Sequence, residues 1–393
     1  MKTFLSTLGL VAFTLAGASA VSAQSSPAPT PATSAAPSPS PSPSAPPKTL
    51  QFSGFADAGY VSGTGNATLK FTNGSNSRVF DTFNREPDLQ NLDIQATLTA
   101  GSLGGKLELN GGTDPDVFAA YPAAGNGFDV QQAYLTYTLG KLTLQGGKFV
   151  TLAGAEVIDS PGDSNYSRSI LFGFAIPFTH TGGRLTYALT NQLSVIAGIN
   201  AGWDDIRETN GQRTVEYGAA WNPSSVVSFA AQGYTGYEQL NNYSGCPTTG
   251  VLPSCQQGQR TLIDAVGTYH ATSALSFTAN YDRGRQGNAS LFDTTASNTA
   301  NWSGLAGYAT YAFNPKVSGT LRYEGFHDTD GYRTGFAQYW REGTLTVGYS
   351  PTSAVTFRGE FRHDTSDHAV FLNAGNVSAS TLSSFGLEAL VKF

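Results

Sequence analysis

Beyond its opening residues the chain repeats one pattern: a run of alternating apolar and polar side chains, then a turn. Leu185, Tyr187 and Leu189 alternate with Arg184, Thr186 and Ala188. Leu275, Phe277, Ala279 and Tyr281 alternate with Ser276, Thr278, Asn280 and Asp282. Val355, Phe357, Gly359 and Phe361 alternate with Thr356, Arg358, Glu360 and Arg362. In an extended chain successive side chains point to opposite faces, so each run builds one apolar and one polar face. Runs of about ten residues suit a tilted strand that crosses a bilayer, which needs roughly 9–11. After the N-terminal leader no stretch approaches the 18 or so continuous apolar residues of a membrane helix. These features predict an all-β fold: a transmembrane, antiparallel, up-and-down β-barrel.

The turns set the strand count. Short connections rich in Gly, Asn, Pro and Ser recur at Gly101–Gly105, Leu139–Lys141, Thr190–Asn191, Asn222–Ser225, Thr272–Ser273, Asn314–Pro315 and Pro351–Ser353. Longer polar connections lie near 61–88, 113–128, 151–181, 202–212, 238–259, 284–301, 327–340 and 365–380. Seven short turns and eight long loops require about 16 strands. The patterns near 52–60 and 106–112 are the weakest. Short turns face the periplasm and long loops the exterior in bacterial barrels.

Composition agrees. Charged residues make up only 13% of the chain, with 45 Gly and 12% aromatics, against about 25% charged residues in soluble domains. Residues 1–23 read as a secretory signal peptide: Lys2, a short apolar run, then Val21-Ser22-Ala23. Residues 24–49 form a Pro/Ala/Ser-rich linker, expected to be disordered in the periplasm and able to reach the cell wall. Residues 50–393 are the barrel. Cys246 and Cys255 lie close together in a chain bound for an oxidising compartment and are expected to close a loop as a disulfide; two free thiols or a metal site are the alternatives, the latter without a His or carboxylate partner inside the loop. A net charge of −6 offers nothing to nucleic acid. No metal or cofactor motif appears. The last strand alternates from Phe385 to the terminal Phe393, which resembles the C-terminal signal read by the outer-membrane barrel-assembly machinery.

One stretch is more distinctive: Gly147-Lys148-Phe149, then Gly154-Ala155-Glu156, then Asn165-Tyr166-Ser167-Arg168-Ser169, then Pro177-Phe178 and His180-Thr181-Gly182. It is flanked by Val130-Gln131-Gln132-Ala133-Tyr134 and Gly202-Trp203-Asp204. Together these resemble the beta-barrel porin-2 (OmpL-like) family over about residues 52–393. The resemblance implies an outer-membrane porin passing small hydrophilic solutes or ions. It brings no substrate, cofactor or catalytic residue. By likeness to general porins, it also implies a possible homotrimer in the outer-membrane lipid and a third loop that folds into the lumen.

The candidate constriction follows. Glu156, Asp159, Asp163, Tyr166 and Arg168 lie in the 151–181 loop; charges of both signs at a narrowing select by field and diameter. The alternative is a cap on the rim. By strand parity Asp93, Glu108, Glu216, Asp264, Asp282, Glu324, Glu360 and Glu388 point inward, as do Arg184, Arg322, Arg358, Arg362 and Lys392. Of these, Arg184, Arg322, Arg358, Glu360 and Arg362 join the constriction candidates, either as a transverse field or as ion pairs that support the wall. The acidic excess predicts a weak cation preference. Tyr60, Tyr137, Tyr187, Trp203, Trp221, Tyr269, Tyr281, Trp302, Tyr311 and Tyr349 are expected to form interfacial girdles. Two rival functions stand beside the porin: an adhesive or structural barrel tethered by its Pro-rich arm, and an outer-membrane hydrolase. None of the histidines, His180 included, sits in a catalytic motif.

Overall fold

A computed structural model of the chain describes residues 48–122, 126–208, 210–238, 258–289 and 299–393. The signal peptide, the linker up to residue 47 and the Cys246/Cys255 pair lie outside the described residues. The strands are β1 (Lys48–Gly63), β2 (Pro87–Ala100), β3 (Leu103–Gly111), β4 (Phe128–Leu139), β5 (Leu142–Val150), β6 (Thr179–Ala188), β7 (Leu193–Asn200) and β8 (Thr214–Ser224). They continue as β9 (Val227–Glu238), β10 (Gly258–His270), β11 (Leu275–Gln286), β12 (Ala300–Asn314), β13 (Val317–Asp328), β14 (Gln338–Tyr349) and β15 (Val355–Ser366). A two-residue hairpin, β16 (Phe371–Leu372) with β17 (Ser378–Ala379), decorates the last loop before β18 (Thr381–Lys392).

Each long strand pairs antiparallel with its neighbours, and β18 closes the sheet against β1, giving a closed barrel of 16 strands. At the seam Gly54 and Phe393 exchange both backbone hydrogen bonds at 3.0 Å. No edge remains to be satisfied in lipid. Both weak patterns form full strands, β1 and β3. The strand begins at Lys48, so residues 48 and 49 belong to the barrel rather than to the linker. The seven short turns gather at one end. Gly101 and Gly140 carry two of them at φ 64° and 58°, a backbone that glycine adopts without steric cost. The longer connections sit at the other, loop end. The third spans residues 151–178, because β6 already begins at Thr179.

The alternation puts apolar residues outside. Leu305 is 58% and Leu387 61% exposed, in a barrel-wide band that only lipid would cover. Tyr60, Tyr137, Tyr187, Trp221, Tyr281, Tyr311 and Tyr349 join that outward face, and Tyr269 is half-buried on it. Trp203 and Trp302 do not belong to a girdle. They are 4% and 1% exposed, inside the barrel. Trp302 shares its parity with the inward Gly304 and Ala306, not with Leu305, and Trp203 turns inward from the fourth loop to meet it edge-on at 6.3 Å.

Inside, the wall is layered. At the turn end hydroxyls pair across strands: Thr138 with Thr143 at 3.2 Å, Thr268 with Thr278 at 3.1 Å and Thr310 with Thr320 at 3.1 Å. A belt of carboxylates and arginines circles the middle; the inward acids foreseen from parity are all buried there. Toward the loop end the inward residues of β9, β10, β12, β13 and β14 become Tyr234, Leu262, Trp302, Phe326 and Trp340. They form one apolar core with Phe71 and Phe80 of the first loop, Phe172 and Phe178 of the third, and Phe371 of the last.

Candidate functional site: a loop that crosses the lumen

The third loop leaves β5 at residue 151 and does not stay at the rim. It is tied to inward side chains of nine strands. Tyr234 on β9 donates to or accepts from Thr151 at 3.1 Å and accepts the Leu152 N–H at 3.2 Å. Asn280 on β11 accepts the Ala155 N–H at 3.1 Å. Farther along, Ser160 donates to Asp57 on β1, and Asn165 donates to Thr346 on β14 at 2.6 Å. Asp159 accepts from Gln131 on β4 at 2.8 Å and lies 3.5 Å from Gln95 on β2. On the return, Trp302 on β12 donates to the Ala175 carbonyl at 3.0 Å.

The strongest anchors come from β13 and β15. Glu360 accepts the N–H groups of Tyr166 and Ser167 at 2.8 and 3.0 Å. Glu324 accepts those of Ile170 and Leu171 at 2.5 and 3.0 Å, at the start of the one-turn helix α1 (Ile170–Phe174), where Ser169 caps Phe172. Backbone N–H groups at a helix start have no intrahelical partner, so a carboxylate there satisfies them and gains charge-assisted bonds. Arg322 pairs with Glu156 at 2.8 Å and Glu342 at 2.6 Å, and donates to the Ser167 carbonyl at 2.6 Å. Arg358 pairs with Glu388 at 2.7 Å and donates to the Asp163 carbonyl at 2.6 Å; Arg362 pairs with Asp364 at 2.8 Å and donates to the Arg168 carbonyl at 2.7 Å. These three arginines are therefore committed to carboxylates and loop carbonyls, not presented to the lumen as a bare basic patch.

Within the loop Arg168 is the organising residue. It pairs with Asp163 at 2.9 Å and donates to the carbonyls of Val157, Ile158 and Tyr166 at 3.0, 2.6 and 3.1 Å. Tyr166 seats its ring where β1 and β18 carry glycine. A Cβ on Gly59 would stand 2.3 Å from the Tyr166 hydroxyl, and one on Gly386 2.5 Å from its ring. Nine of the ten sequence candidates thus meet in one assembly. Arg184 stands apart at the loop's root on β6, paired with Glu216 at 2.8 Å and stacked on Phe149 at 4.2 Å. His180, fully buried, stacks on Tyr234 with ring centroids 4.5 Å apart and meets the Gly202 carbonyl at 3.1 Å, a structural setting. Glu324, Asn280 and Thr346 anchor the loop as firmly as the candidates do. Parity marks Glu324 as inward, but nothing local marks which inward acids will receive backbone N–H groups.

The loop leaves one side open. Between its 156–162 segment and the wall lies a cavity of about 550 Å³, lined among others by Gln95, Lys106, Gln131, Gln132, Asp159 and, at the turn-end mouth, Lys392. Lys106 pairs with Glu108 at 2.9 Å. Burial, together with neighbouring Glu108, pushes the Asp159 carboxyl up to about 7.

A closed, antiparallel, lipid-belted barrel of this size, with its third loop folded through a charged lumen, defines the porin class of outer-membrane channels. The chain belongs to the family described as "Putative beta-barrel porin-2, OmpL-like", whose model matches residues 49–393. No curated protein matches it in sequence. Among solved structures it is similar to the outer-membrane channel DcaP of Acinetobacter baumannii, at 14% identity and a TM-score of 0.61 over 88% of this chain and 97% of that one. It is similar also to in-vitro folded OmpT of Vibrio cholerae, at 14% identity and TM-score 0.56 over 88% and 98%. The anion-selective porin of Comamonas acidovorans aligns at 10% identity and TM-score 0.56 over 88% and 100%.

Proposed function

We propose that this outer-membrane channel passes small hydrophilic solutes by passive diffusion and that its third loop sets the passage. The observation that carries the reading is the loop's path: it crosses the lumen on nine strands and leaves a cavity of about 550 Å³ between its 156–162 segment and the wall, lined by apolar side chains together with Gln95, Lys106, Gln131, Gln132 and Asp159. Asp159 closes against Gln131 and Gln95, and the passage runs through the cavity beside this contact, past Lys106 and Gln132. Glu156, Asp163, Tyr166, Arg168, Arg322, Arg358, Glu360 and Arg362 act as the frame that holds the loop in place, and Arg184 fixes its root. Small solutes exchange hydrogen bonds with the amides of the gap, while Lys106 and Asp159 bias the passage of ions.

The proposal includes a homotrimer, supported by the trimer form in which the similar OmpT was solved, and a periplasmic tether of residues 24–47. The mature chain, refolded into a planar bilayer, is expected to give stable conductance steps. Variants that release the loop, such as Arg322→Ala, are expected to enlarge them. A folded barrel that stays silent under every voltage and solute tried would overturn the diffusion reading in favour of an adhesive or structural barrel.

A further inference from the structure

The lipid-facing wall is almost free of charge, and the exceptions are grouped. Beyond Lys48 at the start of β1, the outward residues of Asp, Glu, Lys, Arg or His type on the described strands are five: Arg283 and Arg285 on β11, His327 on β13, Arg341 on β14 and His363 on β15. All five are basic in type, and all sit toward the loop end of neighbouring strands. Each lies eight to ten residues along its strand from the turn end. At a rise of about 3.3 Å per residue and a tilt of about 40°, that is roughly 20–25 Å above the turns, the upper boundary of an apolar band about 25 Å tall.

We propose that this row is a binding surface for the phosphate groups of an anionic lipid in the outer leaflet. A guanidinium at the membrane boundary meets a phosphate through paired N–H donors, and a cluster of them holds a headgroup against the barrel. His363 meets the Ser383 hydroxyl at 2.7 Å and His327 lies edge-on to Tyr339 at 5.9 Å, so the three arginines carry the binding. Arg341 rests over the Tyr339 ring at 5.4 Å and Arg285 reaches the Thr299 hydroxyl at 3.4 Å; among the described residues no carboxylate forms an ion pair with Arg283, Arg285 or Arg341. Charge complementarity selects the occupant. The outward wall of the described strands carries no Asp or Glu, so the membrane-embedded wall of a second copy has no counter-charge to offer, whereas a phosphorylated lipid does. Below the row, Ala279 and Gly307 lie side by side on β11 and β12 and leave a shallow spot against which an acyl chain can lie, bounded on β13 by the exposed Tyr323 ring.

The full chain, refolded into phosphatidylcholine vesicles containing bisphosphorylated lipid A or its dephosphorylated form, tests this. The readouts are lipid retained after detergent extraction and the temperature of barrel unfolding. Wild type is expected to retain the phosphorylated form selectively and to unfold at a higher temperature with it. The triple variant R283Q/R285Q/R341Q is expected to bind about a hundredfold more weakly, at about fivefold per arginine, and the triple lysine variant to keep most of the binding. Equal retention of the two lipids by wild type overturns the proposal, and this arm needs no variant to fold. A triple glutamine variant that changes only the oligomeric mass, with lipid retention intact, overturns it too, by making the face a contact between copies.

Discussion

The two ends of the lumen are built from different chemistry. At the turn end the wall is lined by threonines that pair with one another across strands. At the loop end β9, β10, β12, β13 and β14 carry Tyr234, Leu262, Trp302, Phe326 and Trp340 inward, and the loops fill the space with more aromatics. The charged belt between them clamps the third loop. One strand pattern serves both ends because alternation fixes only which residues face in, not whether they face water or a core. The difference teaches that a polar inner stripe is the mark of a wet lumen, and that where it turns aromatic a packed plug has taken the place of solvent.

The sharpest test falls on the belt that separates the two halves. Arg322→Ala leaves Glu156 and Glu342 buried without their shared counter-charge; a loss of about 3–5 kcal/mol is expected. Urea unfolding of the refolded barrel reads it, with larger conductance steps in the bilayer. Unchanged stability and conductance would mean that the loop is held by the aromatic half alone. Trp340→Phe comes next. It removes the Nε1 bond to Asp364 and ring volume packed on Phe71 and Phe371, for about 2 kcal/mol. Gly386→Ala should cost about 1–2 kcal/mol by pushing Tyr166 off its seat, and should alter conductance more than its stability cost alone suggests. Thr278→Ala at the turn end, which loses a hydroxyl pair in a half-wet wall, is expected to cost less than about 0.5 kcal/mol; a loss as large as that of Trp340→Phe would break the contrast between the ends.

The subtlest effect is one of pH. The Asp159 carboxyl, held at about 7 against an ordinary 3.8, binds its proton more tightly in the folded protein than in the unfolded chain. Its neutral form is therefore favoured by the fold at low pH, and the penalty for ionising it grows as pH rises from about 4 and is complete above about 7. Reversal potentials measured from pH 5 to 8 should shift toward cations as the charge appears beside Lys106. Asp159→Asn should remove that shift and the accompanying fall in stability. A wild-type selectivity flat across this range would show that Asp159 does not border the path of ions.

Barrel, strand number and loop positions are readable because the period-two pattern and the turn residues are local signals. The end of the third loop shifts by three residues because Thr179, His180 and Thr181 extend β6, a pairing decided by β5 rather than by their own composition. The placing of Trp302 was open to parity, but tryptophan's preference for membrane interfaces points the other way. The partners of the loop were hidden. Glu360 and Glu324 look like ordinary inward acids, and only the folded ring brings them beneath the N–H groups of Tyr166 and Ile170. The glycine seats at Gly59 and Gly386 are equally silent, since a strand glycine marks a close approach without saying of what.

The loop's anchors have a consequence for biogenesis. Glu324, Thr346 and Glu360 lie 154, 181 and 194 residues beyond the loop groups they hold. Contacts between such distant segments form late, because long stretches of chain must first be ordered. The crossing of the lumen is thus expected to be completed late: the loop can be drawn onto β13 to β15 only once nearly the whole chain is ordered, close to the moment when β18 closes the sheet against β1.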